Sequence, residues 1–86
     1  MFVILSYDVN QKRVGKVLKT CRKYLIHVQK SVFEGMITEG ELKHLQKELD
    51  DIIDTETDCI LIYQMESTKY TKKQEIGAVE HHSHII

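Results

Sequence analysis

The stretch Val28–Ile37, VQKSVFEGMI, decides which fold this chain can form. Its apolar residues alternate between two faces, as they do in a β-strand. One face would carry Val28, Val32 and Met36, and the other Phe33 and Ile37. Gly35 suggests a bulge or a close approach of another backbone segment. Two alternatives stay open at this point: one bent strand, or a tight hairpin that turns near Lys30 and Ser31.

Two further apolar stretches are predicted to be buried strands. Phe2–Tyr7 and Cys59–Met65 are too short for helices and nearly all apolar, which is typical of strands covered on both faces. Turn-forming side chains over residues 8–10 end the first of them. The polar stretch after the second predicts a loop over Ser67–Lys73 and then a short edge strand over Gln74–Val79.

Two segments have the periodicity of amphipathic helices. Over residues 11–26, one side of the predicted helix collects Val14, Leu18, Cys21 and Leu25. Thr38 and Glu41 have the spacing of a capping box, which predicts the start of a second helix. The apolar side of that helix would comprise Leu42, Leu45, Leu49, Ile52 and Ile53.

If Val28–Ile37 is a hairpin, the order of elements is βαββαβ, the ferredoxin-like α+β plan, with an extra short C-terminal strand. Residues 1–79 would form a single domain, and residues 80–86 a His-rich, flexible tail. Both helices would cover one face of the sheet. Because the other face also needs cover, a second copy of the chain is the simplest source, and we expect a homodimer.

Composition narrows the function classes. The chain has 86 residues, of which 42% are hydrophobic and 29% charged, which is typical of one globular domain. Its longest apolar runs are far shorter than the roughly 20 residues that span a bilayer, and no signal peptide is evident, so we expect a cytoplasmic protein. Cys21 and Cys59 lie within apolar segments, lack a CxxC partner and fit reduced core thiols. Neither a P-loop nor a GxGxxG motif is present.

Charge is segregated along the chain although the net charge is only −1. Residues 1–37 contain seven basic and two acidic residues, whereas residues 38–66 contain two basic and nine acidic ones. The first helix would present a row of lysines opposite its apolar side: Lys12, Lys16, Lys19 and Lys23. Since like charges at this spacing repel, the row indicates an anionic partner, and a phosphate backbone would suit it. A solvated helix surface with no partner is the alternative.

Asp8 is the one acidic residue among the first 33, and it directly follows a buried strand. A carboxylate there could help to hold a cation, or it could be a turn or helix-capping residue. Mg²⁺ is usually held by one or two carboxylates together with waters and substrate phosphates. A two-fold dimer that brings two Asp8 side chains together would supply the pair, and Mg²⁺ or Mn²⁺ so bound could act on a phosphodiester.

The histidines are weaker candidates for a metal site. His81, His82 and His84 form a small cluster that could bind a metal weakly or could belong to a frayed end.

Several strings along the chain resemble the small CRISPR-associated family that partners the spacer integrase. These strings are Ser6-Tyr7-Asp8, Lys12-Arg13-Val14, Val28 to Gly35 (VQKSVFEG), Asp58 to Tyr63 and Gln74-Glu75-Ile76-Gly77. The resemblance implies a ferredoxin-like homodimer whose final strand can add to the sheet of its partner. It implies a metal site at the paired Asp8. It also implies two roles, a metal-dependent endonuclease acting on single-stranded RNA or double-stranded DNA, and a bridge between integrase dimers.

The same resemblance assigns further site residues. Substrate contact or support of the active site would fall to Tyr7, Arg13, Ser31 and Phe33. With the lysine row, Arg13 would bind the nucleic acid. Some relatives have Arg where this chain has Gln11 and His27, and the loss of a guanidinium removes a bidentate phosphate clamp.

Three functions are consistent with these features of the sequence. The first is a Mg²⁺-dependent endonuclease with Asp8 at its centre, and the second is a non-catalytic DNA-binding scaffold of the integration complex. The third is a ferredoxin-like module that senses a small ligand, which would leave the lysine row unexplained.

Overall fold

The computed structural model describes residues 1–69 and 71–77. Its elements follow in the order strand, helix, strand, strand, helix, strand. They are β1 (Phe2–Asp8), α1 (Gln11–Arg22), β2 (Ile26–Gln29), β3 (Val32–Met36), α2 (Glu39–Ile52) and β4 (Cys59–Met65).

The four strands form one antiparallel sheet in the order β2-β3-β1-β4. Strand β1 lies in the centre, where Leu5 pairs with Phe33 of β3 on one side and with Ile62 of β4 on the other. The stretch that decides the fold is thus a hairpin, with Lys30 and Ser31 in its turn. This order and connectivity confirm the ferredoxin-like α+β prediction.

The first helix was predicted too long, because it ends at Arg22 and not at residue 26. The apolar period continues to Leu25, whose amide still donates to the Cys21 carbonyl at 2.8 Å. Ile26 already pairs with Glu34, so the chain has entered β2 there. The change of direction packs Leu25 against β3: a Cβ added to Gly35 would lie 3.3 Å from Leu25 Cδ2. This is the close approach that the glycine predicted.

The core lies between the sheet and the two helices. It comprises Val3, Leu5, Tyr7, Phe33 and Ile37 from the sheet side, and Val17, Cys21, Leu25, Leu42, Leu45 and Leu49 from the helix side. Strand β4, predicted to be buried, is instead an edge strand without a buried residue, and its Cys59, predicted as a core thiol, is exposed. The capping box at Thr38 is confirmed: the Glu41 amide donates to Thr38 Oγ1 at 3.1 Å, and the Thr38 amide donates to Glu41 Oε1 at 2.9 Å. Helix α2 therefore starts where the sequence predicted, and it presents its leucines to the sheet.

The second face of the sheet is open. A groove of about 610 Å³ lies on it, lined by apolar side chains that include Phe2, Ile4 and Met36 and by Thr68, Thr71, Lys72 and Lys73. Lys73 pairs with Glu34 of β3 and, at 3.1 Å, with Glu75. The groove is the apolar surface for which the sequence predicted a cover.

Part of the predicted C-terminal structure lies outside the described residues. Residues 74–77 form no strand, whereas residues 78 and 79 of the predicted edge strand and the His-rich tail over 80–86 fall beyond the described part. Among the described residues, neither helix is long and apolar enough to cross a membrane.

Candidate nucleic-acid and metal site

Asp8 is the last residue of β1, and its side chain is exposed. Its Cα pairs with that of Cys59 at the start of β4, so the ladder to the outer strand holds its backbone in place. Because Val3, Leu5 and Tyr7 are buried under the helices, strand alternation puts Asp8 on the side of the open face. The helix-capping alternative for Asp8 is wrong, since Asn10 is the N-cap of α1 and accepts from the Lys12 amide at 2.9 Å.

A single protomer does not complete a metal site. Within residues 1–69 and 71–77, no group of three or more His, Cys, Asp or Glu side chains could hold an ion. Asp8 contributes one exposed carboxylate. Mg²⁺ is nonetheless commonly bound by one or two carboxylates whose remaining partners are waters and phosphates. The donor chemistry therefore fits Mg²⁺ when a second Asp8 and a substrate phosphate complete the set.

Tyr7 anchors the β2–β3 turn beside Asp8. Its hydroxyl donates to the Lys30 carbonyl at 2.9 Å, and its amide donates to the Ser31 carbonyl at 3.1 Å. His27 Nε2 lies 3.1 Å from the same Lys30 oxygen. Burial, with a smaller effect from Cys21, raises the pKa of Tyr7. Tyr7 is therefore a neutral donor that fixes the turn carrying Ser31.

Ser31 and Phe33 occupy different depths in this site. Ser31 is half-buried in the turn, whereas Phe33 is fully buried. The Phe33 ring stacks on that of His27 with centroids 4.5 Å apart, and it lies 6.3 Å from the ring of Tyr7. Of the two roles that the resemblance left open for Phe33, this placement suits support of the site, since no Phe33 surface is available to a substrate in the protomer.

Arg13 is engaged by a partner that sequence reasoning missed, Asp58. Arg13 Nε donates to Asp58 Oδ2 at 2.6 Å, and Arg13 Nη2 donates to Asp58 Oδ1 at 3.1 Å. Hydrogen bonds from Arg13 and from the Asp54 and Asn10 amides hold the pKa of Asp58 well below its usual range, although burial opposes them. The bond to Asp58 correspondingly raises the pKa of Arg13. The Arg13–Asp58 pair lies at the same end of the sheet as Asp8, because Asp58 directly precedes Cys59, which pairs with Asp8.

The lysine row divides into two parts. Lys12, Lys16 and Lys19 are exposed, as the helical period predicted, and make no ion pair within the described residues. Lys23 instead pairs with Glu48 of α2.

Glu48 also accepts a hydrogen bond from the Tyr24 hydroxyl. Bonds from Lys23 and Tyr24 lower the pKa of Glu48, and the bond to Glu48 raises the pKa of Tyr24 to about 12. Lys23 is therefore occupied in holding the two helices together.

One feature of the sequence could have identified Asp58 as a candidate site residue. Asp58 is an acidic residue placed directly before the apolar run Cys59–Met65, as Asp8 is placed directly after the apolar run Phe2–Tyr7. Strand pairing brings such ends together when β1 and β4 are antiparallel neighbours, which the linear sequence does not show. The Arg13–Asp58 pair spans 45 residues and follows from the topology alone.

Comparisons with known proteins agree with this architecture. The family model of CRISPR associated protein Cas2 matches residues 1–73. A CRISPR-associated endoribonuclease Cas2 of Dictyoglomus turgidum is 49% identical over 77 residues, which are 90% of this chain and 88% of the relative. The protein of the same name from Thermotoga maritima is 44% identical with the same coverage of both chains.

Solved structures give the same result. A crystal structure of Streptococcus pyogenes Cas2 at pH 6.5 has a TM-score of 0.78 and 35% identity, covering 90% of this chain and all of the other. A crystal structure described as Cas2 has a TM-score of 0.82 and 38% identity, covering 91% of this chain and 87% of the other. With its ferredoxin-like sheet, the exposed Asp8 at the end of β1 and a family match over most of its length, this chain belongs to the CRISPR-associated Cas2 family.

Proposed function

We propose that the chain is a metal-dependent endonuclease of CRISPR adaptation that works as a homodimer. The observation that carries this proposal is the exposed Asp8, which the sheet holds at the end of β1 beside the anchored β2–β3 turn. Its carboxylate, paired with that of a second copy, would hold Mg²⁺ or Mn²⁺. The relatives named endoribonucleases favour RNA as the substrate class, with double-stranded DNA as the other candidate.

The open face of the sheet supports the dimer. Three of its large apolar side chains remain at least half exposed in the protomer: Met36 at 65%, Leu61 at 50% and Tyr63 at 59%. A chain of this size leaves a large part of its apolar surface in water, so burying this face stabilises the protein. A two-fold axis across the face would place the same surface on both sides of the interface.

Each part of the site then has a chemical task. Lys12, Lys16 and Lys19 bind the phosphate backbone along the exposed side of α1. Tyr7 keeps the turn with Ser31 in place next to Asp8, and Asp8 holds the cation. A divalent ion held there by Asp8 would supply charge stabilisation at the scissile phosphate and would lower the pKa of a bound water molecule.

A second function has its own support, a DNA-binding scaffold that bridges integrase dimers without cleaving. The described part of one chain contributes a single exposed carboxylate to the site, and Gln11 and His27 stand where the family resemblance implies arginine in some members. Lys12, Lys16 and Lys19, which have no ion pair among the described residues, need no metal to bind phosphate. The same basic surface could serve both functions, so a cleavage assay must decide whether the chain also acts as an enzyme.

The test compares wild type with Asp8→Asn on labelled RNA and duplex DNA, with Mg²⁺ and with EDTA. We expect cleavage by the wild type in Mg²⁺ only, and none by Asp8→Asn, because the amide loses the charge that attracts the ion. Asp51→Asn is the matched control, since Asp51 is an exposed acid on α2, and it should cleave as the wild type does. Gel shifts from the same samples measure binding. Cleavage that survives both EDTA and Asp8→Asn would exclude the metal site, and binding without any cleavage would leave the scaffold function.

A further inference from the structure

The carboxylate of Asp58 joins three separate segments of the chain. Its side chain is 1% exposed, and each of its two oxygens accepts two hydrogen bonds. Oδ1 accepts from the backbone N–H of Asn10 at 3.0 Å and from Arg13 Nη2 at 3.1 Å. Oδ2 accepts from Arg13 Nε at 2.6 Å and from the Asp54 amide at 2.9 Å. The turn after β1, the first turn of α1 and the loop after α2 therefore meet at one group.

We infer that Asp58 withdraws Arg13 from the nucleic acid, so that the lysines of α1 alone bind phosphate. Arg13 is then a positioning residue for the turn after β1, which directly follows Asp8. This inference deepens the proposed function and rests on its nucleic-acid binding. Asp8 and Asn10 flank one residue of that turn, and the turn is held at both ends, by the ladder to Cys59 and by the Asn10 amide on Asp58. Arg13 acts on the turn through Asp58.

Electrostatics distinguish Arg13 from the lysines beside it. The Arg13–Asp58 pair is bidentate and has no net charge, so contact with a phosphate would release few condensed counterions. To bind a phosphate with its full charge, Arg13 would have to break two hydrogen bonds and leave a buried carboxylate unpaired. Lys12, Lys16 and Lys19 face water without an ion pair among the described residues, and each keeps a full charge for the polyanion.

The test measures how nucleic-acid affinity depends on salt, in EDTA, so that no metal and no cleavage are involved. Logarithmic affinity for duplex DNA falls with logarithmic salt concentration by about 0.9 per neutralised phosphate. Lys16→Gln should reduce this slope by about that amount. The double variant Arg13→Gln/Asp58→Asn should keep the slope of the wild type, because it replaces a neutral pair with a neutral pair. It also avoids leaving either charge buried alone, so it is better suited to the test than Arg13→Gln.

A single Asp58→Asn variant gives the opposite expectation. It releases the Arg13 charge, so the slope should become steeper than in the wild type by up to about 0.9. Asp54→Asn removes a charge from the same loop without releasing an arginine, and its slope should stay unchanged. Melting curves establish that each variant is folded before its slope is measured.

The outcomes separate this inference from the proposed function. Wild-type protein that shows no salt-dependent binding would overturn the proposed function and this inference with it. If the wild type binds and Lys16→Gln lowers the slope, an equal fall in the double variant would overturn the inference alone. A slope for Asp58→Asn that matches the wild type would overturn it too, because Arg13 would then add no charge when released.

Discussion

The hydrogen bond from Tyr7 to the β2–β3 turn gives the most specific stability prediction. Tyr7→Phe removes one hydroxyl from a side chain that is 9% exposed and leaves its ring packing unchanged. The lost bond, 2.9 Å from Tyr7 Oη to the Lys30 carbonyl, is worth about 0.5–1.5 kcal/mol. Since His27 Nε2 lies 3.1 Å from the same oxygen, the carbonyl keeps a donor and escapes the larger penalty of an unpaired group. We therefore expect a loss of about 1 kcal/mol.

Urea denaturation measures this loss. The midpoint should fall while the slope of free energy against urea stays constant, because the unfolded surface does not change. In a domain of this size about 1 kcal/mol corresponds to a decrease in Tm of roughly 4–8 °C. Thr55→Ala is the matched control: it removes a hydroxyl that is exposed in the loop after α2 and lies away from the open face, so its loss should stay within about 0.5 kcal/mol.

A double-mutant cycle tests the reason behind this magnitude. In a His27→Leu background the second donor to the Lys30 carbonyl is gone, so Tyr7→Phe should be costlier there by at least about 0.5 kcal/mol. A carbonyl oxygen can only accept, so Nε2 must hold the proton in the contact that His27→Leu removes. The reasoning would be refuted if Tyr7→Phe and Thr55→Ala had equal effects, or if the two substitutions at Tyr7 and His27 were additive.

Three further predictions concern the core, the stability of the fold at acidic pH and the open face. Leu45 is fully buried, so Leu45→Ala should lower the free energy of unfolding by about 2–5 kcal/mol in urea titrations, and a smaller loss would mean that the core can collapse around the gap. Because folding lowers the pKa of Asp58, its ionised carboxylate stabilises the folded state at pH values above 3.8, which is the ordinary pKa of the group. This stabilisation is lost as the pH falls below 3.8. Asp58→Asn should thus be less stable at neutral pH and lose less on acidification; parallel pH curves would contradict this. Leu61→Glu places a charge on the open face, so light scattering should show a monomer where the wild type shows a dimer, and an unchanged dimer would exclude this face as the interface.

The sequence predicted those parts of the fold that depend on local patterns. The short apolar runs of β1 and β4 and the capping box at Thr38 act over a few residues, and the two strands and the box were confirmed. The predicted cover on both faces was wrong for the protomer, because burial alternates along β1 and β4 is an edge strand. The hairpin could not be distinguished from a bent strand, because Lys30 and Ser31 are not a strong turn pair such as Asn-Gly. Tyr7, 23 residues away from Lys30, supplies the hydrogen bond that anchors this turn.

The candidate site shows the same division between local and long-range information. The exposure of Asp8 follows from its place after a buried strand, and the lysine row follows from helical period. The partners of Arg13 and Lys23 could not be predicted, since Asp58 and Glu48 are distant in sequence and reach them only after the sheet and the helices have packed. In the structure, the Asp54 amide is one of the four donors to Asp58.

The central claim is that two copies of Asp8 share one catalytic centre, and mixed dimers test it most directly. Wild-type and Asp8→Asn chains are unfolded together in equal amounts, refolded, and assayed for RNA cleavage in Mg²⁺. The reference is refolded wild type at the same total concentration of chains. Random pairing leaves about one quarter of the dimers with two aspartates, so a shared centre predicts about one quarter of the wild-type rate. A rate of about one half would contradict the account, because each chain would then cleave with its own Asp8.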